Sequence, residues 1–254
     1  MINITERHQF IINKVQKEGY VNVLDLCKAL DVSSVTIRKD LKLLEDKNLL
    51  FRTHGGATVN NPYMTDRPVN EKEKLQSAEK MRIGAAAAKL IQPNDSIVIA
   101  SGTTVLALAK SLQPRESLTV ITSALNVALE LLRHKDIEIL QLGGVLRKSS
   151  SSVVGPYSEH ILNDFFCSTF FLGVDGIDLE FGLTTTNSME AHLNRQMIAN
   201  SQKTVVLADS TKFGKRGFGK ICALEEIDQV ITDTGISDHT ARALESMGVK
   251  VTIV

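Results

Sequence analysis

Seven short apolar runs after residue 95 constrain the fold of this 254-residue chain more than any other feature. They lie at Ser96–Ala100, Leu118–Thr122, Ile137–Leu142, Thr169–Val174, Thr204–Ala208, Gln229–Thr232 and Val249–Val254, with helical stretches between them. Strands of a parallel sheet are buried on both faces and are joined by helical crossovers. The sequence therefore predicts an α/β domain over residues 76–254, with a mainly parallel sheet covered on both faces.

The first 57 residues carry a different pattern, three bursts of helical periodicity followed by a short extended run. Thr5, Asn22 and Ser33 stand where a side chain commonly caps the start of a helix. The extended run at 49–53 precedes a Gly-Gly pair, which indicates a tight hairpin. Three helices and a hairpin predict a winged helix-turn-helix, a DNA-binding module, over residues 1–57.

Residues 58–75 read differently from both flanking regions. They include the stretch NNPYMTDRPVNEKEKL, which has two prolines, three asparagines and no periodic apolar pattern. Such composition is typical of a loop or linker. We predict an interdomain linker here, so that the chain has two domains.

Charge and cysteine usage narrow the class of protein. The whole chain has no net charge, but residues 1–60 hold nine basic against seven acidic residues, which fits a small nucleic-acid-binding module. Three widely separated cysteines indicate reduced core thiols in the cytoplasm. No apolar run is long enough to cross a bilayer, so no membrane partner is expected.

The third predicted helix has the two faces that a recognition helix needs. Ile37, Leu41 and Leu44 share an apolar face, whereas basic and hydroxyl side chains occupy the rest of the surface. Basic side chains reach guanine edges or phosphates in the major groove, and hydroxyls at a helix start contact phosphate. The predicted DNA contacts, two of them on the hairpin, are Ser33, Ser34, Val35, Thr36, Arg38, Lys39, Lys42, Arg52 and His54.

Small, polar or charged residues follow five of the seven strand-like runs. The first such segment, 101–104, joins a strand to a helix and predicts a phosphate cradle of free amides and hydroxyls. No Gly-Lys-Ser/Thr sequence follows it, so a nucleoside triphosphate is not indicated. Carboxylates in the other segments suit sugar hydroxyls. These segments supply the predicted ligand contacts Ser101, Gly102, Thr103, Thr104, Asn126, Gly143, Gly144, Arg147, Asp175, Asp209 and Lys212.

The N-terminal motifs resemble a known family. ERHQFI at 6–11, VSSVTIRKDLKLLE at 32–45 and LLFRTHGGA at 49–57 are similar to the DNA-binding domain of DeoR/GlpR regulators of bacterial sugar metabolism. The family usually has two adjacent arginines before the aspartate of this motif. This chain has Arg38-Lys39 instead.

From Glu73 onward the chain resembles the effector domain of the same family, with SGTT, TSALN, LGG, GVDG and LADSTKFG in order. The resemblance implies a domain similar to ribose-5-phosphate isomerase that senses a phosphorylated sugar. It implies phosphate contacts from residues 101–104, with Asn126, Asp175, Glu190 and Lys212 near the sugar. Two positions depart from the family pattern: Ala100 replaces a usual aspartate, and Asn194 a common basic residue.

Three functions remain open at this point. The leading prediction is a ligand-gated transcriptional regulator with no catalytic residue, cofactor or metal. We favour a repressor over an activator. The alternative is a sugar-phosphate isomerase-like enzyme, for which Asp175, Glu190 or Asp209 would be the acid–base group. The third is a DNA-binding protein that no longer senses a ligand.

The expected partners follow from the leading prediction. They are a double-stranded DNA operator and a phosphorylated sugar effector. Because operators of such modules are commonly palindromic, a homodimer or homotetramer is also expected.

Overall fold

The structure is a computed structural model that describes residues 3–46, 49–53, 55–58, 68–113 and 116–254. The chain divides into two compact units, Met1–Thr65 and Asp66–Val254. The boundary falls inside the predicted linker. In the described ranges, no helix is both long and apolar enough to cross a bilayer.

The first unit has three helices and a small antiparallel sheet. Its elements in chain order are α1 (Ile4–Glu18), β1 (Tyr20–Asn22), α2 (Val23–Leu30), α3 (Ser34–Asp46), β2 (Phe51–Thr53) and β3 (Gly56–Thr58). The hairpin β2–β3 pairs with β1, so the strand order is β1-β3-β2. This confirms the three predicted helices and the hairpin, and it pairs the hairpin with a further short strand, β1.

The helix starts in this unit follow capping chemistry. Asn22 accepts a hydrogen bond from the backbone of α2, and Ser33 accepts one from the N–H of Thr36, as predicted. The prediction for Thr5 was wrong. Helix α1 begins at Ile4 because Asn3 and Glu6 each accept the other's backbone N–H, which caps the helix earlier.

The second unit contains seven α-helices and twelve strands in its described ranges. They are α4 (Val69–Lys74), α5 (Ser77–Ala88), β4 (Ser96–Ile99), α6 (Thr103–Ser111), β5 (Leu118–Thr122), α7 (Leu125–Leu131), β6 (Ile137–Gln141), β7 (Val145–Arg147), β8 (Ser152–Val154), α8 (Pro156–Leu162), β9 (Cys167–Gly173), β10 (Gly176–Asp178), β11 (Gly182–Thr185), α9 (Ser188–Ala199), β12 (Ser201–Leu207), β13 (Gly219–Cys222), β14 (Gln229–Thr232), α10 (Asp238–Ser246) and β15 (Lys250–Ile253).

A seven-stranded sheet organises this unit, and every neighbouring pair of its strands is parallel. The order is β15-β14-β12-β9-β4-β5-β6, and its members are the seven predicted runs with slightly shifted ends. From β4 the chain builds outward through β5 to β6, then returns to β9 on the other side of β4. The order therefore reverses between β4 and β9, where ligands bind in open α/β sheets.

Alternating side chains of the sheet enter two separate hydrophobic cores. Val98 and Phe170 belong to one core, whereas Ile97, Ile99 and Phe171 belong to the other. Since successive strand residues point to opposite faces, the sheet is covered on both sides. This confirms the predicted α/β architecture.

Two features of this unit differ from the sequence predictions. The short strands of a hairpin, β7–β8, and of a small antiparallel sheet, β10-β11-β13, were not predicted. The segment interpreted as linker ends in helix α4, which packs within the second unit. Its contacts with other elements, described below, stabilise a helix that its own short sequence does not indicate.

Candidate functional site

Helix α3 presents the predicted basic face to solvent. Ile37, Leu41 and Leu44 are buried in the core of the first unit. Arg38 and Lys39 are exposed, as are Val35 and Lys42. The helix therefore has an apolar face packed in the core and an exposed, largely polar face, which is the division that a recognition helix needs.

The other predicted DNA contacts have local partners or lie outside the described residues. Ser33 caps α3 and also hydrogen-bonds to the Thr36 hydroxyl at 3.0 Å, while Ser34 is the first helical residue. Arg52 of β2 donates through Nε to the Glu45 carboxylate at 2.7 Å, so an ion pair to α3 orients it. His54 lies outside the residues that the structure describes.

A pocket lies where the order of the large sheet reverses. Its floor is formed by residues that directly follow β4 and by residues at and just after the end of β9, among them Ser101 and Asp175. Its empty volume is about 540 Å³ when the mouth that opens to solvent is counted. It is lined by Val69, Lys72, Ser101, Gly102, Thr103, Thr104, Ser149, Ser150, Gly173, Val174, Asp175, Thr185, Thr186, Glu190 and Lys212.

The start of α6 forms one side of this pocket. Gly102 precedes the helix with φ of 133°, a conformation that a side chain would strain, and Thr103 and Thr104 are its first residues. The first backbone N–H groups of a helix have no partner within the helix, and the helix dipole is positive there. This side of the pocket therefore suits an anion.

Asp175 also lines the pocket and is held by three hydrogen bonds. Its Oδ1 accepts from Lys72 Nζ at 2.9 Å, and its Oδ2 accepts from the Thr185 hydroxyl at 3.0 Å and the Thr186 N–H at 3.2 Å. Burial opposes ionisation of this carboxyl, but the charges of Lys72 and Lys212 and these hydrogen bonds outweigh it. The pKa of Asp175 is consequently below its usual value.

Glu190 on α9 is the second carboxylate of the pocket. It accepts the Ser101 hydroxyl at 2.6 Å through Oε1 and an Arg147 N–H through Oε2. Burial raises the pKa of Glu190, and this effect exceeds the opposing effects of Ser101 and Arg147. Arg147 does not line the pocket itself, so its contact with Glu190 makes it an orienting residue.

Two lysines add positive charge to the pocket. Lys72 from α4 is paired with Asp175, as above. Lys212 ends the 3₁₀ turn after β12 and also lines the pocket. Within the described ranges, Lys212 forms no ion pair with another side chain, so its ammonium group is available to an anionic ligand.

The structure brings together seven of the predicted ligand-binding residues and separates five. Those in the pocket are Ser101, Gly102, Thr103, Thr104, Asp175, Glu190 and Lys212. Those that do not line it are Asn126, Gly143, Gly144, Arg147 and Asp209.

Strand order explains most of this separation. Asn126 follows β5 and Gly143 follows β6, and both strands lie on the side of β4 away from β9. Asp209 follows β12 and is 1% exposed. Its carboxylate accepts the N–H of Thr211 at 3.1 Å, so it caps the turn that carries Lys212. In the described residues Asp209 therefore caps this turn and does not line the pocket.

The sequence analysis missed the other pocket residues, Val69, Lys72, Ser149, Ser150, Gly173, Val174, Thr185 and Thr186. Gly173 and Val174 adjoin the predicted GVDG segment, so their position was a usable signal. Lys72 lay in the predicted linker, and Thr185 lies on an unpredicted strand. No periodic pattern in the sequence marks either of them.

The two departures from the family pattern are buried positions. Ala100 is 1% exposed and packs in the hydrophobic core with Val98 and Leu172. Asn194 on α9 is 3% exposed. Neither lines the pocket. In the described part of the chain there is also no cluster of three or more side chains suited to a metal ion.

Comparison with known proteins agrees with this architecture. The model of the DeoR-like helix-turn-helix domain matches residues 7–63, and that of the DeoR C-terminal sensor domain matches residues 75–234. An Escherichia coli O157:H7 protein named as a candidate aga operon transcriptional repressor is 36% identical over 252 residues, covering 98% of this chain and 94% of that protein.

A second relative is the glycerol-3-phosphate regulon repressor of Escherichia coli K12, which is 32% identical over 229 residues and matches 90% of each chain. Among solved structures, ribose 5-phosphate isomerase A of Methanocaldococcus jannaschii aligns with 54% of this chain and 55% of its own, at 14% identity and a TM-score of 0.40. With both domain models matched in order along nearly its whole length, the chain belongs to the DeoR family of transcriptional regulators.

Proposed function

We propose that this regulator represses carbohydrate-metabolism genes and that a phosphorylated sugar or polyol in its pocket controls DNA binding. The observation that carries the proposal is that the pocket contains both positive groups, which suit an anion, and carboxylates, which suit hydroxyls. The start of α6 and Lys212 favour an anion, while the carboxylates of Asp175 and Glu190 accept hydrogen bonds from hydroxyls. The relatives named for the glycerol-3-phosphate regulon and the aga operon support a ligand of this class.

Hydrogen-bond direction supports the orientation of such a ligand. The hydroxyl protons of Ser101 and Thr185 are donated to Glu190 and Asp175. Their oxygens can therefore only accept further hydrogen bonds, and sugar hydroxyls are suitable donors. A phosphate needs donors instead, and these are the amides of residues 103–104, the Thr103 hydroxyl and the Lys212 ammonium group. The phosphate would lie against α6 and the sugar against the carboxylates.

The same contacts support sensing over catalysis. Asp175 is held by three hydrogen bonds and Glu190 by Ser101 and Arg147, so each carboxylate has a fixed position and keeps an acceptor site for a ligand hydroxyl. Fixed acceptors of this kind suit recognition of a ligand. The relatives are named as transcriptional regulators rather than as enzymes.

For DNA binding, we propose that α3 enters the major groove with Arg38 reading bases. Val35, Thr36 and Lys39 contact the groove beside it, and Ser33, Ser34, Lys42, Arg52 and His54 contact phosphates. The chain divides into two units at Thr65 and Asp66, within the predicted linker 58–75 between the predicted domains 1–57 and 76–254. This division would separate DNA binding from ligand binding. A homodimer or homotetramer in the cytoplasm would match a palindromic operator.

The experiment combines ligand and DNA binding on the full-length protein. Thermal shift against ribose 5-phosphate, glycerol 3-phosphate, other sugar phosphates and their unphosphorylated counterparts identifies the effector class. Fluorescence anisotropy on duplexes selected from random DNA then measures how the best compound changes DNA affinity. Arg38→Ala is expected to cost about 1–3 kcal/mol and to relax base preference, whereas Lys42→Ala weakens binding to all sequences equally.

Thr103→Val provides the matched test of the pocket. It keeps the side-chain volume but removes a hydroxyl at the start of α6, so DNA binding should persist and the ligand response should weaken. Failure of every phosphorylated compound to shift melting or DNA affinity contradicts the sensing proposal. Turnover of a sugar phosphate that is lost in Asp175→Asn would identify an enzyme instead.

A further inference from the structure

Helix α4 supplies part of the pocket wall, although it lies outside both matched family domains, which cover residues 7–63 and 75–234. Its residues Val69 and Lys72 line the pocket. The second unit begins at Asp66, so α4 is the first helix of that unit after the DNA-binding unit in the chain. Of all pocket residues, those on α4 are nearest in sequence to the recognition helix.

In the contact between Lys72 and Asp175, only Asp175 is held in place by other residues. Asp175 is also held by Thr185 and the Thr186 backbone, so its carboxylate has a set position. Lys72 approaches it on a flexible stem, and its side chain is 25% exposed. A lysine ammonium group on a flexible stem that reaches solvent can change its partner by rotation about the side-chain bonds. An anion in the pocket can therefore compete for this ammonium group.

The backbone of α4 is tied to the pocket surroundings at both ends. The Val69 N–H donates to the carbonyl of Ser149, another pocket residue, at 2.7 Å. At the C-terminal end, the buried Lys80 ammonium donates to the carbonyls of Lys72 and Leu75, both at 2.6 Å. A six-residue helix held in this way has a position that depends on its contacts, because so short a helix is not stable by itself.

We propose that Lys72 is an effector-binding residue, and that the effector's anionic group competes with Asp175 for its ammonium group. This inference rests on the proposed function. The exchange of partner changes what holds α4, and α4 continues directly into the polypeptide leading to the DNA-binding unit. The ligand would therefore make different contacts with α4 in the two states of that helix. A difference of this kind is the physical requirement for coupling between effector binding and DNA binding.

The test uses three full-length variants. Lys72→Gln removes the charge, Lys72→Arg keeps it, and Lys74→Gln removes a charge from an exposed position of the same helix that does not line the pocket. Ribose 5-phosphate, glycerol 3-phosphate, ribose and inorganic phosphate are titrated calorimetrically. DNA affinity is measured with and without each compound.

Lys72→Gln should weaken binding of the phosphorylated compounds about tenfold, the loss of one charge-assisted hydrogen bond, and should reduce their effect on DNA affinity. Ribose binding should not change. Lys72→Arg should restore most of the response, and Lys74→Gln should behave as wild type. If inorganic phosphate alone reproduces the DNA response, the anion rather than the sugar operates the contact, which also supports the exchange.

Two results separate the possible failures. If wild type binds none of these compounds or other sugar phosphates, the proposed function fails. If wild type binds and responds but Lys72→Gln does so equally, only the role of Lys72 is overturned. Should Lys72→Gln lower the melting temperature without ligand, the comparison of ribose with ribose 5-phosphate decides, because a merely structural lysine would weaken the binding of both compounds alike.

Discussion

Asp40 is a buried charge that joins two helices of the DNA-binding unit. It lies on α3, is 2% exposed, and accepts hydrogen bonds from Arg7 Nη2 and His8 Nε2 of α1, both at 3.0 Å. Burial opposes its ionisation, but hydrogen bonds from Arg7 and His8 outweigh that effect and lower the pKa of Asp40. The ion pair therefore fixes the helix that presents Arg38.

We predict that Asp40→Asn destabilises the first unit by about 3 kcal/mol, because it leaves the Arg7 guanidinium partly buried without its charge partner. Hydrogen exchange of peptides from α1 and α3, followed by mass spectrometry, measures the effect locally. The control is Glu18→Gln, which removes a surface ion pair with Lys14 and should cost less than about 1 kcal/mol. Equal protection in both variants would contradict the structural role of Asp40.

The pH dependence of this contribution has a definite sign. The folded pKa of Asp40 lies below its unfolded value of about 3.9, so the stabilisation is complete above that value. It is lost as the pH falls through the folded pKa and the carboxylate is protonated. The difference in protection between wild type and Asp40→Asn should therefore be constant at neutral pH and shrink below about pH 4.

For single residues, the sequence predicted which side chains are exposed better than it predicted which side chains form ion pairs with each other. The alternation of Ile37 and Leu41 with basic residues was enough to assign the faces of α3. The ion pair of Asp40 with Arg7 joins positions 33 residues apart, and no local pattern encodes it. Arg52 was predicted as a DNA contact from its charge and its place on the hairpin, and its pairing with Glu45 depends on how β2 returns beside α3.

Helices α5 and α6 pack so closely that one position between them requires glycine. A Cβ on Gly84 of α5 would lie 2.5 Å from the carbonyl carbon of Ala107 and 2.6 Å from the backbone nitrogen of Leu108, both on α6. The opposing atoms are backbone rather than flexible side chain, so relief requires the helices to separate. Helix α6 also begins at the pocket, so this contact positions its first amides.

We predict that Gly84→Ala destabilises the second unit by about 1–3 kcal/mol, the usual cost of overpacking a core. Helix propensity alone would give the opposite sign, a gain of about 1 kcal/mol. The control, Ala85→Gly at the neighbouring exposed position, should cost about 1 kcal/mol through propensity. Urea unfolding followed by circular dichroism measures both. A more stable Gly84→Ala variant would show that the helices separate freely.

At the scale of elements, long periodic segments were predictable and short ones were not. The seven strands of the large sheet were assigned because each is a continuous apolar run between helical stretches. Helix α4 was interpreted as linker, since six residues with four charges and no apolar stripe carry no helical signal. Its contacts, such as the 2.6 Å ion pair of Glu73 with Lys110, come from distant parts of the chain.

At the scale of the whole molecule, strand order decided which predicted residues form the pocket. Asn126 and Asp175 each follow a predicted strand and looked equivalent in sequence. Only β9, which precedes Asp175, lies next to β4 on the side where the order reverses. Which strands are neighbours depends on long-range pairing. The sequence therefore predicted that the site lies at the carboxyl ends of the strands, but not between which strands it lies.

If the first unit binds DNA and the second binds the effector, the affinities for DNA and for the effector must change together. If the effector lowers DNA affinity by some factor, bound DNA must lower effector affinity by the same factor. For a coupling of about 1–3 kcal/mol, the factor is roughly 5–150. Calorimetric titration of the effector into protein, with and without saturating operator, measures it independently of the DNA titration.

Two variants distinguish effector binding from the coupling between effector and DNA in these titrations. Thr103→Val removes a pocket hydroxyl and should weaken effector binding to free and DNA-bound protein alike, so that the factor is unchanged. Lys72→Gln removes the contact from α4 and should bring the factor towards one, even where effector still binds. Equal factors in both variants would mean that occupancy of the pocket reaches DNA by a route that does not involve α4, since binding energy shared by both states cannot shift the equilibrium between them.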